Sequence, residues 1–467
     1  VEVYETHISW VFVVGERAYK VKKPVRLPFV DYSTLERRLH FCKEEVRLNR
    51  RLAPDVYLGV APVTSDGRIR GAGSTVEHAV EMVRLPHHRM LDVLLERGEV
   101  GPADVERIAD RLASFHARAE RADEYGGSAP LRRRMRANLD SARPFLPDAW
   151  RGRIRRDFER FLAVHEPLLR QRVREGRTRD GHGDLHAGNV CLRDTGPVLY
   201  DCIDFEPAFR CGDTAGEVAF LAMDMERRGH WPLARAFVQR YAERSGDREL
   251  EALLPLHKQV RACVRGLAEA LRHPTRPQVR ACFRLAVSYG LGPFVVATCG
   301  LPGTGKSFLA RHAAAAFDAE IVRSDLIRKE LAGMAPTERW GGGFHDGPYT
   351  PEHTRQTYAA LRDRARESLD RGRRVVIDAT FATRAQRELL RGLGTPLVWL
   401  YVDTPEHVVR ARMERRAAGG RGISDADFAV YRRVRRRFER PVSPDVAHMG
   451  SADPGPALDA VISHLVA

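Results

Sequence analysis

The apolar positions of this chain change period along its length. Near the start they come in short alternating runs. Residues 10–14 and 18–22, separated by Gly15-Glu16-Arg17, predict two strands of a hairpin. From Arg37 to Leu52, apolar Leu39, Val46, Leu48 and Leu52 lie among charges, which predicts an amphipathic helix. Residues 79–83 read as a buried strand that leaves through Leu85-Pro86, and most of the chain from there to about 290 is helical in pattern, for example 103–118 and 231–244. Beyond Pro293 short apolar runs at 294–299, 320–322, 374–378 and 397–402 alternate with amphipathic stretches at 351–371, 384–391 and 406–416. Strands alternating with helices of that length imply a parallel sheet covered on both faces. Tyr289-Gly290-Leu291-Gly292-Pro293 is a better boundary than His273-Pro274-Thr275-Arg276-Pro277, so two domains are expected, at 1–290 and 293–467.

Composition narrows the class. A chain of 467 residues that is 43% hydrophobic and 30% charged is too long for one ordinary core and too apolar for disorder. No run approaches the length of a membrane span and no leader pattern opens the chain; a cytoplasmic location without membrane partners is expected. Seven scattered cysteines without paired spacing suggest reduced core thiols. The net charge of +15 points toward anionic partners, but seventy arginines against seven lysines fit a GC-rich coding bias better than a nucleic-acid surface.

Two stretches carry chemistry. Gly300-Leu301-Pro302-Gly303-Thr304-Gly305-Lys306-Ser307 follows an apolar strand and opens a helix. Glycines there let backbone N–H groups approach phosphates, Lys306 neutralises them and Ser307 offers an oxygen to Mg²⁺, so ATP or GTP is the expected ligand of Gly300, Gly303, Thr304, Gly305, Lys306 and Ser307. The other stretch is His182-Gly183-Asp184-Leu185-His186-Ala187-Gly188-Asn189, followed by Asp204-Phe205-Glu206, Asp213 and Glu217.

That second pattern resembles the aminoglycoside phosphotransferase and choline kinase branch of the protein-kinase-like fold, over most of the first 290 residues. The resemblance implies an α+β bilobal domain that moves the γ-phosphate of ATP to a hydroxyl. Asp184 would take the hydroxyl proton, and Asn189 and Asp204 would hold Mg²⁺. Lys20 would grip the phosphates, with Lys22 on the same strand face as the alternative. Glu45 would orient the lysine, with Glu44 the alternative, and Glu81 and Met82 would form the adenine hinge. His182 and His186 are expected to shape the loop and Asp213 to brace it. Glu217 stands where many members of that branch carry Asp. No acidic patch suited to a polycationic aminoglycoside is evident.

The second half is similar to P-loop kinases related to polynucleotide kinase, gluconate kinase and zeta toxins, which implies an α/β domain with a parallel sheet. By that resemblance Asp325 is the general base and Arg328, Thr380 and Arg384 border the acceptor, with Arg387 beside them. Asp378 supports Mg²⁺, and Arg412 and Arg416 form a lid over the triphosphate. The expectation is a tandem phosphotransferase. Its first domain would act on a small hydroxylated metabolite (a sugar, aminosugar or cyclitol) and its second on another hydroxyl. The alternative makes the second domain a polynucleotide 5′-hydroxyl kinase, with nucleic acid as partner and the first domain as an accessory.

Overall fold

The alternating runs at the start become β1 (Glu2–Glu5), β2 (Ser9–Val14) and β3 (Arg17–Lys22), and Gly15 turns the chain at φ 55°. A small ribbon of β4 (Arg26–Leu27) and β5 (Val30–Asp31) leads into the helix Leu35–Asn49, which starts two residues before the first predicted position because the Thr34 side chain accepts from Arg37 N. Then come β6 (Tyr57–Thr64) and β7 (Thr75–Val83). The sheet is antiparallel throughout, in the order β1-β2-β3-β7-β6. Its inner face packs Val80 and Met82 with Cys42 and Val46 of the helix. The edge strand β1 was not anticipated, since its exposed residues show no apolar period. The computed structural model describes residues 1–27, 29–338, 349–418, 427–441, 446–449 and 453–467, of 416–418 and 446–449 the backbone alone.

Helices dominate the stretch that follows, among them Pro102–Arg118 and Trp231–Ser245, close to the predicted bounds. Between them β8 (Thr178–Asp180) pairs with β11 (Cys211–Asp213), and β9 (Val190–Arg193) forms a hairpin with β10 (Gly196–Leu199). The turn from β8 to β9 is the His182–Asn189 stretch. Thus a short strand frame holds the loop on which the chemistry was placed.

In the second half β12 (Val295–Cys299), β13 (Ala319–Arg323), β14 (Arg374–Asp378), β15 (Leu397–Val402) and β16 (Val446–Met449) form a parallel sheet in the order β13-β14-β12-β15-β16. The strand carrying the glycine loop is central and buried along its whole length, as continuous apolar strands of parallel sheets are.

The chain divides into two compact units, Val1–Ser141 with Asp157–Val264, and Ala142–Arg156 with Arg265–Ala467. This differs from a boundary at 290. The helix Pro277–Ser288 belongs to the second unit, where it packs against the helix Gly455–Val466 and Arg284 pairs with Asp459 at 2.6 Å. The glycine-rich stretch after it is a connection inside that unit. All seven cysteines are free and buried, and among the described residues no helix is long and apolar enough to cross a membrane.

Candidate active sites

On β3, Lys20 and Lys22 point to the same side, and both end on Glu45. Lys20 Nζ lies 2.8 Å from one carboxylate oxygen and Lys22 Nζ 2.8 Å from the other. Glu44 faces solvent and pairs with Arg47 instead. Each lysine has a second anionic partner: Asp201 for Lys20 at 2.7 Å, Asp204 for Lys22 at 2.5 Å. The sequence offered the two lysines as alternatives; the fold uses both. Lys22 is 1% exposed and locks the floor of the cleft, whereas Lys20, at 16%, is the one that solvent reaches. Burial works against the Glu45 carboxylate, but Lys20 and Lys22 hold its pKa down to about 2. Asp204 is pushed up, by burial first and then by Glu45, with Lys22 opposing. Three carboxylates thus share two ammonium groups.

Asp201 was not singled out beforehand. It sits at φ 61°, a left-handed conformation Asp tolerates better than most residues, and its backbone N–H donates to the Tyr57 hydroxyl. The signal available was a second aspartate three residues before Asp204.

The loop holding Asp184 is shaped largely as expected. His182 Nδ1 accepts from Asp184 N at 3.3 Å, so its Nε2–H donates to Tyr200 O at 2.9 Å. Burial lowers its pKa, which suits that neutral form. His186 Nδ1 accepts from Gly188 N, leaving Nε2 3.6 Å from the Asp184 carboxylate. Asn189 Nδ2 donates to Asp184 O at 2.9 Å. Asp184 itself is 39% exposed, open to a substrate.

The expected brace proves to be a different residue. Asp213 does not hold the loop: it takes Arg172 Nε and Nη2, both at 2.8 Å, and the N–H of Ala215. Glu217 holds it, accepting from His182 N and from Gly183 N at 2.7 Å, while its other oxygen meets His116 Nε2 at 2.8 Å. Asp224, one heptad further along the helix Ala215–Arg227, accepts from Ala187 N at 3.1 Å. The Glu217 side chain thus spans from the loop N–H groups to His116, one oxygen for each.

A pH dependence follows. Burial raises the Glu217 pKa, yet hydrogen bonds from His116 and the loop bring it to about 2, below its ordinary 4.5. A depressed carboxyl stabilises the fold above its unfolded value and loses that contribution as pH falls toward the folded value. On this basis Glu217 contributes about 3 kcal/mol near neutrality, lost between about pH 4.5 and 2. Thermal unfolding of the wild type and Glu217→Gln should converge across that window; parallel curves would count against it.

Glu81 and Met82 lie inside β7, with their backbones paired to Tyr19 and Ala18, and Glu81 is bound to Arg70 at 2.7 Å. Met82 is a core residue. Residues leaving the sheet begin at Arg84, beyond the expected pair. The apolar run had located the strand, but not where its ladder ends.

In the second unit the loop after β12 bends through Gly300 (φ 144°), Gly303 (φ 79°) and Gly305 (φ 107°) into the helix Lys306–Phe317. Lys306 Nζ donates to Leu301 O at 2.8 Å, and Thr304 Oγ1 to the same carbonyl. Glycine is required at two positions. A Cβ on Gly300 would meet Val402 O at 2.5 Å, and one on Gly303 would press Met413 and Val409. Gly300→Ala is therefore expected to weaken nucleotide binding at this loop at least tenfold, because β15 must move (1.4 kcal/mol is already about tenfold). Titration with a fluorescent ATP analogue measures it; unchanged affinity would contradict the fit.

Asp325 sits in the first turn of the helix Ser324–Leu331, whose cap position is Arg323, so Asp325 is not the cap. Its pKa is raised, by burial first and then by Asp378, with Lys306 and Arg328 opposing. Asp378 ends β14, and Arg323 lies 3.4 Å from it. Ser307 begins the helix after the loop, and the Thr380 carbonyl accepts from Gly300 N at 3.1 Å. Arg412 reaches the loop, donating to Thr304 O at 3.3 Å. Arg384 is exposed and turns along its own helix to Glu388, and Arg328 turns to Thr354 and stacks over Tyr349. Arg387 donates to Phe381 O. The Arg416 side chain lies outside the described residues.

Fold and sites together define a chain of two kinase-like domains, and the protein is a phosphotransferase enzyme. A model of the phosphotransferase enzyme family matches residues 27–256, and a model described as AAA domain matches 295–441. The chain is 32% identical, over 458 residues covering 92% of it and 89% of theirs, to the uncharacterized proteins Rv2004c of Mycobacterium tuberculosis and Mb2027c of Mycobacterium bovis. It belongs to the family of these mycobacterial proteins. Among solved structures, a sugar kinase from Janibacter sp. is 21% identical and covers 37% of this chain and 94% of its own, with TM-score 0.30. A choline kinase from Cryptosporidium parvum is 10% identical and covers 62% and 88%, with TM-score 0.40. Likeness of that order identifies neither substrate nor site.

Proposed function

We propose that the chain carries out two ATP-dependent phosphoryl transfers, one per unit, each to an alcohol. The observation that carries this reading is the gathering, in the first unit, of Lys20, Lys22, Glu45, Asp204 and the Asp184–Asn189 loop from segments far apart in sequence. Such transfer asks mainly for positioning and charge neutralisation. Asp184 accepts the proton of the acceptor hydroxyl as its oxygen attacks the γ-phosphorus, and ADP leaves. Lys20 meets the phosphates and Glu45 fixes its position. In the second unit the Gly300–Ser307 loop holds the triphosphate, Arg412 closes on it, and Asp325, with its raised pKa, takes the acceptor proton.

Mg²⁺ fits both donor sets. Asn189 commits Nδ2 to the loop, which leaves its Oδ1, with the Asp204 carboxylate, as the oxygens that would hold the ion; in the second unit Ser307 and Asp378 would supply them. Among the described residues no cluster of three or more His, Cys, Asp or Glu could cage a metal alone, as suits an ion that takes the rest of its shell from nucleotide and water. When bound it neutralises phosphate charge.

The test is transfer of labelled γ-phosphate over sugars, sugar phosphates, cyclitols, nucleosides and 5′-hydroxyl oligonucleotides. Asp184→Ala and Lys306→Ala are each expected to remove a different set of products. If one substitution removes all transfer, the other unit is not an independent enzyme. Label on the oligonucleotide alone, lost in Lys306→Ala, would favour the polynucleotide-kinase reading, to which the exposed arginines of the helix Phe428–Arg437 lend support.

A further inference from the structure

The first unit contains a cavity that neither transfer constellation uses, and its charged lining is one-sided. Arg134, Arg179, Arg210 and Arg261 all line it. Arg210 is held by Asp180 at 2.7 Å. Among the described residues the other three form no ion pair. Arg134 donates to Ala208 O at 2.5 Å and Arg179 to Ala119 O at 2.8 Å, while Arg261 donates to Gly183 O at 2.9 Å and Gly216 O at 3.1 Å. The carboxylates in the wall are already occupied: Asp213 by Arg172, Glu217 by His116 and the loop N–H groups.

His257 is the second observation. It is 3% exposed and lines the same cavity, and its Nε2 has no hydrogen-bond partner. Burial lowers its pKa to about 4 despite Asp213, with Arg172, Arg261 and Arg134 adding to the effect. The imidazole is accordingly neutral and can donate a hydrogen bond. The helix Ala215–Arg227 also begins at this wall, contributing the positive end of its dipole. Burial of Arg261 lowers its pKa although Glu217 and Asp184 oppose it, so its charge is only partly offset, and the unpaired buried ring nitrogen of His257 is unfavourable as well. One ligand chemistry relieves both.

We propose that this cavity binds the oxyanion group (phosphate, sulfate or carboxylate) of a small metabolite. The group can arrive free or on the acceptor itself. Arg261 favours the second source, because it donates to the carbonyl of Gly183, the residue before Asp184. An acceptor seated by its anion here would present a hydroxyl toward that loop. This last step rests on the reading of Asp184 as the transfer base; anion binding does not. The same lining disfavours polycationic acceptors.

Calorimetric titration of the full-length protein with inorganic phosphate, glucose 6-phosphate and glucose tests the proposal. The Lys306→Ala background removes phosphate capture by the glycine loop. Expected is one site for an anionic probe, no comparable heat with glucose, and at least tenfold weaker binding in Arg134→Met, whose one described bond to Ala208 O makes it a mild change. Tighter binding of glucose 6-phosphate than of phosphate assigns the anion to the acceptor; the reverse order assigns it to a free ion. No anion binding in Lys306→Ala protein, glucose binding as tightly as its phosphate, or Arg134→Met binding like its parent would each overturn the proposal. Anion binding that persists while no Asp184-dependent transfer is found would count against the kinase reading alone, whereas loss of anion binding with transfer intact would count against this proposal alone.

Discussion

Asp184→Asn, in a protein already carrying Lys306→Ala, is expected to lower the remaining phosphoryl transfer about a thousandfold while leaving the KM for ATP within a few-fold. The magnitude is that of a positioned general base, roughly 10²–10⁴ in rate. The split between kcat and KM follows from the geometry. Asp184 takes no part in the lysine cluster: Lys20 and Lys22 are held by Glu45, Asp201 and Asp204. The amide keeps the size of the side chain, and Asn189 bonds chiefly to the backbone carbonyl of residue 184, which the substitution leaves in place. Steady-state kinetics with any acceptor found for this unit decides the matter. A variant with unchanged kcat would remove Asp184 from the reaction, and one with a raised KM alone would make it a binding group.

The second large effect concerns stability. Arg172 is 1% exposed and carries two carboxylates, Asp213 at 2.8 Å and Asp247 at 2.6 Å. Replacing it with Met leaves both acids buried beside each other without a cation. Breaking such a pair by removing one partner costs about 3–5 kcal/mol, and Arg172→Met is expected to lower Tm by roughly 10 °C. The sign with pH follows from Asp213, whose burial raises its pKa but whose bonds to Arg172 lower it overall. A carboxyl depressed in the folded state contributes stability above its ordinary pKa, and that contribution fades as pH falls below it. The deficit of Arg172→Met should therefore be full at neutral pH and shrink below about pH 4. Calorimetric melts at pH 7 and pH 3.5 compare the two. An equal deficit at both would mean that lost packing, not charge, is responsible.

Local signals carried most of the element reading. The hairpin through Gly15, the first four strands of the second unit and the helices at 103–118 and 231–244 all lie within a few residues of their predicted bounds, because period and turn chemistry act over short spans. The fifth parallel strand, Val446–Met449, and the edge strand Glu2–Glu5 escaped, being short and without strong apolar alternation. The compact units part elsewhere than at residue 290 for a related reason. Tyr289–Pro293 reads as a linker in isolation, but the helix before it buries an apolar face whose partner, Gly455–Val466, lies more than 160 residues further on.

What the sequence by itself determined is the kind of chemistry: a glycine-lined phosphate loop, an Asp–Asn loop and an acidic residue after it, each a short motif whose function depends on neighbours in the chain. What only the tertiary structure decided is the partnership of charges. That Lys22 meets Asp204 across 182 residues, that Glu217 and not Asp213 clasps the Asp184 loop, and that four arginines line one cavity follow from which side chains folding brings together. A buried charge takes its partner by proximity in space, and residue type and spacing along the chain carry no record of that.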